Sequence, residues 1–338
     1  MSLKLRLALF VAGAILFWVL LQQLGLQRLT ANLRSTGWLL LPIVLLYAVV
    51  YACYAGAWHI VLAEEPRRPS FARSYAVSIS SIALNYVTPV MQIGGEGFRA
   101  AALTPWLGAR RATGAVVTYY MLHALSNMLV WLLAVTIALA LYVRDPPLVA
   151  GFAVLAAALV LMVAFVLSRH RDGFFAHTLA LLERLPPTRP LARLLAARKD
   201  SLLALDTQIA DFYRRDTRRF FMALALDLFG RWVGVLEFVL IGRGVGLAVG
   251  YVPAFVMAGL GGVVINALSF LPFEIGAKEG GFYLIFGLLG LTPALGVSAA
   301  IVMRLRELVW ITTGLAIIWL SGAGHSAAPS SASGPPAP

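Results

Sequence analysis

Charge is scarce in this chain and cysteine almost absent. Only 12% of its 338 residues are Asp, Glu, Lys or Arg, against about 25% in a soluble globular protein. So few charges cannot cover a water-facing surface of this size. The sole cysteine, Cys53, excludes an intrachain disulfide, and its apolar surroundings suit a buried thiol that packs as a small hydrophobe. The histidines (His59, His123, His170, His177 and His325) form no metal-ligand spacing with Cys or Glu. There is no glycine loop ending in Lys-Ser/Thr and no G-x-S-x-G elbow. No sizeable soluble domain is available for ATP-driven or group-transfer chemistry. An enzyme is therefore not expected, and neither a cofactor nor a metal is expected.

Apolar residues are abundant instead. They make up 60% of the chain, with mean hydropathy +0.85. The pattern predicts an all-α polytopic integral membrane protein, its membrane domain covering 1–321. Runs of about 20 apolar residues mark spanning helices, at 6–26, 38–62, 113–142, 147–168, 218–242 and 293–321. The first follows Lys4 and Arg6 and suits a retained span rather than a cleaved leader. Two further stretches are broken midway. One is 71–108, interrupted at Thr88-Pro89 and Gly94-Gly95; the other is 252–291, interrupted at Pro272 and Gly276.

The net charge of +12 fits loops on an anionic membrane face better than nucleic acid, which is not expected as a partner. With the N-terminus in the cytoplasm, nineteen Lys and Arg fall on the cytoplasmic side and four outside: Arg28, Arg34, Arg144 and Arg243. This predicts a bacterial cytoplasmic (inner) membrane protein with both termini in the cytoplasm. The topology closes with about six full spans if the broken stretches are re-entrant hairpins of opposite orientation. It also closes if each broken stretch crosses twice. Between them, residues 169–217 form a cytoplasmic insertion. There Leu202, Leu205, Ile209 and Phe212 recur at helical spacing, as in an amphipathic helix lying on anionic phospholipid. The Gly, Ala, Ser and Pro tail, 322–338, is expected to be disordered.

The two breaks resemble each other. TPVMQIGGEGF (88–98) and LPFEIGAKEGGF (271–282) each place a Pro seven residues before a Glu: Pro89 before Glu96, Pro272 before Glu279. Each interval holds an Ile-Gly pair, and Asn85 and Asn266 precede the prolines. Such breaks free backbone groups that must be buried in protein or face a watery cavity. Matching interruptions in two halves point to a transport site and an inverted repeat.

Six carboxylates lie within or beside spans: Glu96, Asp227, Glu237, Glu274, Glu279 and Glu307. Unpaired, they would cost on the order of 15 kcal/mol on insertion scales. Partners exist nearby. Arg99 follows Glu96 by three, Arg231 follows Asp227 by four, Glu307 follows Arg304 by three, and Lys278 adjoins Glu279. Asp227–Arg231 suits a structural strut, and His123 suits a polar pair with Asn127. Arg99 and Arg304 sit beside or after the breaks, where a guanidinium can hold a phosphate.

The motifs NYVTPVMQIGGEGFR (85–99), LPFEIGAKEGG (271–281) and RLRE (304–307) are similar to those of the flippase-like family, also described as the lysylphosphatidylglycerol synthase transmembrane region. The resemblance covers most of 1–321. It implies paired re-entrant elements linked to lipid translocation. Phe273-Glu274 departs from it, since small residues are expected after that proline. Full-length synthases carry a C-terminal aminoacyl-transfer domain that has no counterpart in this sequence, so lysyl transfer is not expected. The KEGG and RLREL (304–308) stretches resemble members encoded with hopanoid synthesis.

The expected function is movement of an anionic or polyprenyl-linked lipid between leaflets. Asn85, Glu96, Arg99, Asn266, Glu279, Arg304 and Glu307 would line the headgroup path, with Pro89, Gly94, Gly95, Pro272 and Gly276 breaking the helices around it. The alternatives are a non-transporting scaffold for lipid-biosynthesis proteins and an intramembrane lipid-modifying enzyme. The lipid, the driving ion and the oligomeric state are not readable from the residues.

Overall fold

The computed structural model describes residues 37–65, 67–87, 94–169, 174–184, 216–244, 246–269 and 276–323, with a few isolated positions between 199 and 207. The expected span 6–26, the breaking prolines Pro89 and Pro272, Glu274 and the tail from 324 onward lie outside these residues. So does nearly all of the expected amphipathic helix at 202–212. The protein is an all-α membrane protein, and among the described residues there is no strand. The helices are α1 (Leu40–Val61), α2 (Phe71–Val87), α3 (Gly94–Leu107), α4 (Ala109–Leu141) and α5 (Pro146–Arg169). They continue with α6 (Phe174–Arg184), α7 (Thr217–Gly244), α8 (Tyr251–Ala267), α9 (Ala277–Leu288) and α10 (Pro293–Ala323).

Among the described residues, three segments are long and apolar enough to cross a membrane: Gly37–Val61, Ala109–Leu141 and Pro146–Ser168. The helices at the other two expected spans, α7 and α10, are as long, at 28 and 31 residues. They carry charges, but turn them inward. Asp227, Glu237, Arg304, Arg306 and Glu307 are all buried, while Phe229, Trp232, Val309 and Trp319 are exposed. Apolar side chains outside and ionised ones inside is the arrangement a lipid solvent selects. Several helix boundaries differ from the sequence expectation, by one to four residues. Helix α4 begins at Ala109 rather than 113, because a helix end can carry Arg110 and Arg111 into water. Helix α10 runs to Ala323, just past the expected start of the tail.

Packing fixes the direction of each helix. Helices α1 and α7 run antiparallel and close together, Gly56 against Leu226 and Gly230 against Cys53. A Cβ on Gly230 would stand 2.9 Å from the Cβ of Cys53. Small residues let two backbones approach where lipid gives no hydrophobic drive. Cys53 is buried there as a free thiol, as its surroundings predict. Helix α4 runs parallel to α7, since His123 meets Asp227 and Asn127 meets Arg231. Helix α8 runs against α4, Gly259 lying on Ala134 and Gly262 on Trp131.

Both broken stretches fold back as antiparallel helical hairpins. In the first, the Ser81 hydroxyl donates to the Gly95 carbonyl at 2.5 Å and the Gly95 N–H donates to Asn85 Oδ1 at 2.7 Å. In the second, Gly261 lies against Phe282 and Gly281 against Val264. The arms hold 17 and 14 residues, then 17 and 12. At about 1.5 Å per residue they reach ~18–26 Å, short of a ~30 Å hydrocarbon core. Helix α2 runs against α1, with His59 on Ser74, and therefore along α4; α8 runs against α4. The hairpins thus enter the bundle from opposite ends. Their tips meet where Lys278 Nζ stands 6.0 Å from the ring centre of Tyr86.

Candidate functional site

Helix α1 supplies a stripe of aromatic rings: Tyr47, Tyr51, Tyr54 and Trp58. Spacings of four, three and four put them on one face. Three of these rings meet an arginine from another helix, Arg99 and Arg306 buried and Arg231 largely so. Arg306 lies 3.5 Å from the centre of Tyr47, Arg231 lies 5.4 Å from Tyr54, and Arg99 lies 4.8 Å from Trp58. Tyr51 packs edge-on against Trp310. A cation over an aromatic face is attracted to the ring quadrupole, more so away from water. The stripe was overlooked in the sequence because a run of tyrosines at helical spacing reads as core. Its signal is the spacing itself, matched to the intramembrane arginines.

The richest cluster gathers at the tip of the second hairpin. Glu279 accepts two hydrogen bonds from Arg304, from Nε at 2.6 Å and Nη2 at 3.1 Å. Its other tie is to the Gly276 N–H, at 2.9 Å. Gly276 has φ +78°, a left-handed conformation that glycine adopts without strain. Lys278 donates to Glu307 at 2.7 Å, and Arg306 Nη2 reaches the same oxygen at 3.4 Å. Arg306 Nε also stands 3.0 Å from Glu237, out of line for a hydrogen bond, so that contact is Coulombic. Tyr47 donates to Glu237 at 2.7 Å. Among the described residues, three cations therefore face three carboxylates. Pairing of this kind is what lets charges persist inside a bilayer.

A second cluster lies about 15 Å away along α7, ten residues at the helical rise. Asp227 is fully buried and binds His123 Nδ1 at 2.8 Å and Arg231 Nε at 3.2 Å. Arg231 also reaches Ser126, Asn127 and both the ring and the carbonyl of His123. The expected strut between Asp227 and Arg231 is present. His123 takes Asp227 as its partner rather than Asn127, because α7 presents a carboxylate where the sequence shows only an amide one turn away.

The third cluster belongs to the first hairpin. Arg99 is buried, 4.8 Å from the ring centres of both Trp58 and Tyr119. Its nearest carboxylate, Glu96, stands 3.9 Å off.

The expected site residues are thus distributed unevenly. Glu279, Arg304 and Glu307 share one cluster, with Lys278, Arg306 and Glu237 added to it. Glu96 and Arg99 stand in another. Asn85 holds the N-terminus of α3 through Gly95. Asn266 is exposed and bonds back to the Gly262 carbonyl at 2.9 Å, joining none of the clusters. Gly94 opens α3, and Gly95 is pressed so close to α2 that a Cβ would stand 2.6 Å from Asn85 Oδ1. One expected adjacency is corrected. Lys278 does not serve Glu279; it crosses to Glu307 of α10, while Glu279 is taken by Arg304. Among the described residues, no group of His, Cys, Asp and Glu could hold a metal ion.

The chain belongs to the lysylphosphatidylglycerol synthase TM region family, whose model matches residues 4–316. The family groups it with membrane proteins of lipid metabolism or transport. Neither a curated protein nor a solved structure matches the chain.

Proposed function

We propose that this protein moves a lipid, anionic or polyprenyl-linked, between the leaflets of a bacterial cytoplasmic membrane, and that it is not an enzyme. The observation that carries this reading is the meeting of two hairpins from opposite ends of the bundle, Tyr86 at one tip and Lys278 at the other. Short hairpins of this kind are re-entrant on our reading and form an inverted repeat. Together they thin the barrier from both sides. Polar groups on irregular backbone are tolerated in a membrane only where they line protein or a watery cavity.

The headgroup would pass from the Glu96–Arg99 region to the Glu279–Arg304 pair. Each arginine would hold a phosphate while a glutamate takes and returns a proton. The acyl chains would stay in the bilayer, beside the exposed apolar faces of α9 and α10.

A scaffold for lipid-biosynthesis proteins is the second reading. It is favoured by the neutral, closed Lys278–Glu307–Arg306–Glu237 chain, which is also what a rigid strut needs. Reconstitution separates the two. Vesicles carrying the protein and a short-tailed fluorescent anionic lipid are tested for accessibility to a membrane-impermeant quencher. Exposure of inner-leaflet lipid, lost in Glu279→Gln at equal protein level, is the expected result. No movement of any tested anionic or polyprenyl-linked lipid leaves the scaffold.

A further inference from the structure

We infer that Arg99, Trp58, Ser78 and Glu96 form a phosphodiester site that binds its anion together with one proton. This deepens the lipid-transport reading and rests on it only for the source of the ligand.

The site is unlike the other two clusters. The guanidiniums of Arg231 and Arg304 are engaged by carboxylates and neighbouring acceptors. In Arg99, by contrast, Nε and Nη1 are buried without a hydrogen-bond partner, and the residue is 4% exposed. The Trp58 indole Nε1 and the Ser78 hydroxyl are buried and unpartnered as well. Ser78 lies one turn before Ser81, whose bond to Gly95 sets the hairpin register, so Ser78 stands level with Arg99. Unpartnered donors of α1, α2 and α3 thus stand at one level of the bundle, around the Arg99 guanidinium. Leaving several buried donors unmade is costly, far more than forming them. A tetrahedral phosphate offers acceptor oxygens in several directions, and a guanidinium edge matches two of them.

The remaining unpartnered atom is an acceptor, Glu96 Oε2, at 3.9 Å from Arg99 Nη1. As a carboxylate it would face the phosphate oxygens and repel them. With a proton it becomes a further donor. The anion and one proton therefore arrive together, the phosphate oxygen accepting the hydrogen bond from the carboxylic acid. Around Glu96, Arg99 is the charged group on its own helix and α4 adds Tyr119 and Tyr120. Helix α2 contributes only the neutral Ser78, Ser81 and Asn85 at this level. On α1, His59 is bonded to Ser74. Asp227 of α7 lies beyond, across His123 from Tyr119.

The test is calorimetry on the full chain in neutral detergent near neutral pH. Two phosphodiesters serve as probes, because neither titrates there: soluble dimethyl phosphate and the short-chain lipid dihexanoyl phosphatidylmethanol. Repeating each titration in buffers of different ionisation heat counts protons. The expected result is binding with uptake of about one proton. Binding of both probes marks a site open to soluble anions; binding of the lipid alone marks a headgroup site.

Charge-assisted hydrogen bonds set the scale of loss: Arg99→Ala weakens binding about 30-fold or more, and Trp58→Phe about 5-fold. Glu96→Gln still binds, through its amide donor, but takes up no proton. If Arg99→Ala does not fold, Arg99→Lys, Trp58→Phe and Glu96→Gln carry the test. Absence of binding by both probes, unchanged affinity in the folded Arg99 variants, or proton uptake that persists in Glu96→Gln overturns the site. Translocation in vesicles without binding here would sink this site and spare the transport reading. Binding here without translocation would do the reverse.

Discussion

Lys278 and Glu307 join α9 to α10 through a 2.7 Å ion pair that is almost sealed from solvent, at 1% and 6% side-chain exposure. The lysine is one of the largest fully buried side chains in the protein. A buried pair contributes little net stability when intact, yet breaking it leaves a charge without a partner.

Lys278→Met should therefore destabilise the fold by about 3–5 kcal/mol, the usual loss when one member of a buried pair is removed. Adding Glu307→Leu should recover most of that loss. Unfolding in mixed micelles measures both. Equal destabilisation by the single and double variants would mean the pair is not the strut that joins the helices.

Glu279→Gln keeps the shape of the side chain and the tie to Gly276, but gives up the charge that holds Arg304. The protein should express at wild-type level and lose lipid movement in vesicles. Arg304→Lys should be partly defective, since an ammonium keeps charge without the two-pronged geometry. Full translocation by both variants would remove the second hairpin tip from the transport path.

Asp227→Asn should act differently. It takes away the anion that His123 and Arg231 share inside the bundle. We expect a loss of stability on the order of 3 kcal/mol, as for a buried pair that loses one partner. The residual folded protein should keep translocation per molecule. A stable but inactive Asp227→Asn would move this cluster from support to function.

The opposed hairpins can be tested by labelling. Gly97 and Gly280 each follow a motif glutamate, are exposed, and have open space where a Cβ would stand. In a Cys53→Ala background, Gly97→Cys should react with an impermeant thiol reagent from the cytoplasmic side and Gly280→Cys from the outside. Tags at the N-terminus, after Thr188 and at Pro338 should report cytoplasm, and a tag at Asp145 the outside. Labelling of both cysteines from one side would defeat the opposed arrangement.

The sequence by itself determined the all-α membrane class, because hydropathy depends on composition and run length and needs no partner. It also marked the two interruptions, since Pro and Gly stop a helix wherever they stand. The Asp227–Arg231 pair was visible for the same reason: both residues lie on one helix, four apart. Tertiary structure decided the rest. Lys278 with Glu307, Arg304 with Glu279 and Arg306 with Glu237 join residues 25 to 69 positions apart, and the spacing within a single helix carries no record of which neighbour it will meet. The aromatic stripe of α1 gained its meaning only when arginines from α3, α7 and α10 came to face it. Asn266, whose place before a proline suggested a site, stands exposed and bonded to the Gly262 carbonyl, apart from the charged clusters, because the packing of Gly259 and Gly262 on α4 fixes how α8 sits.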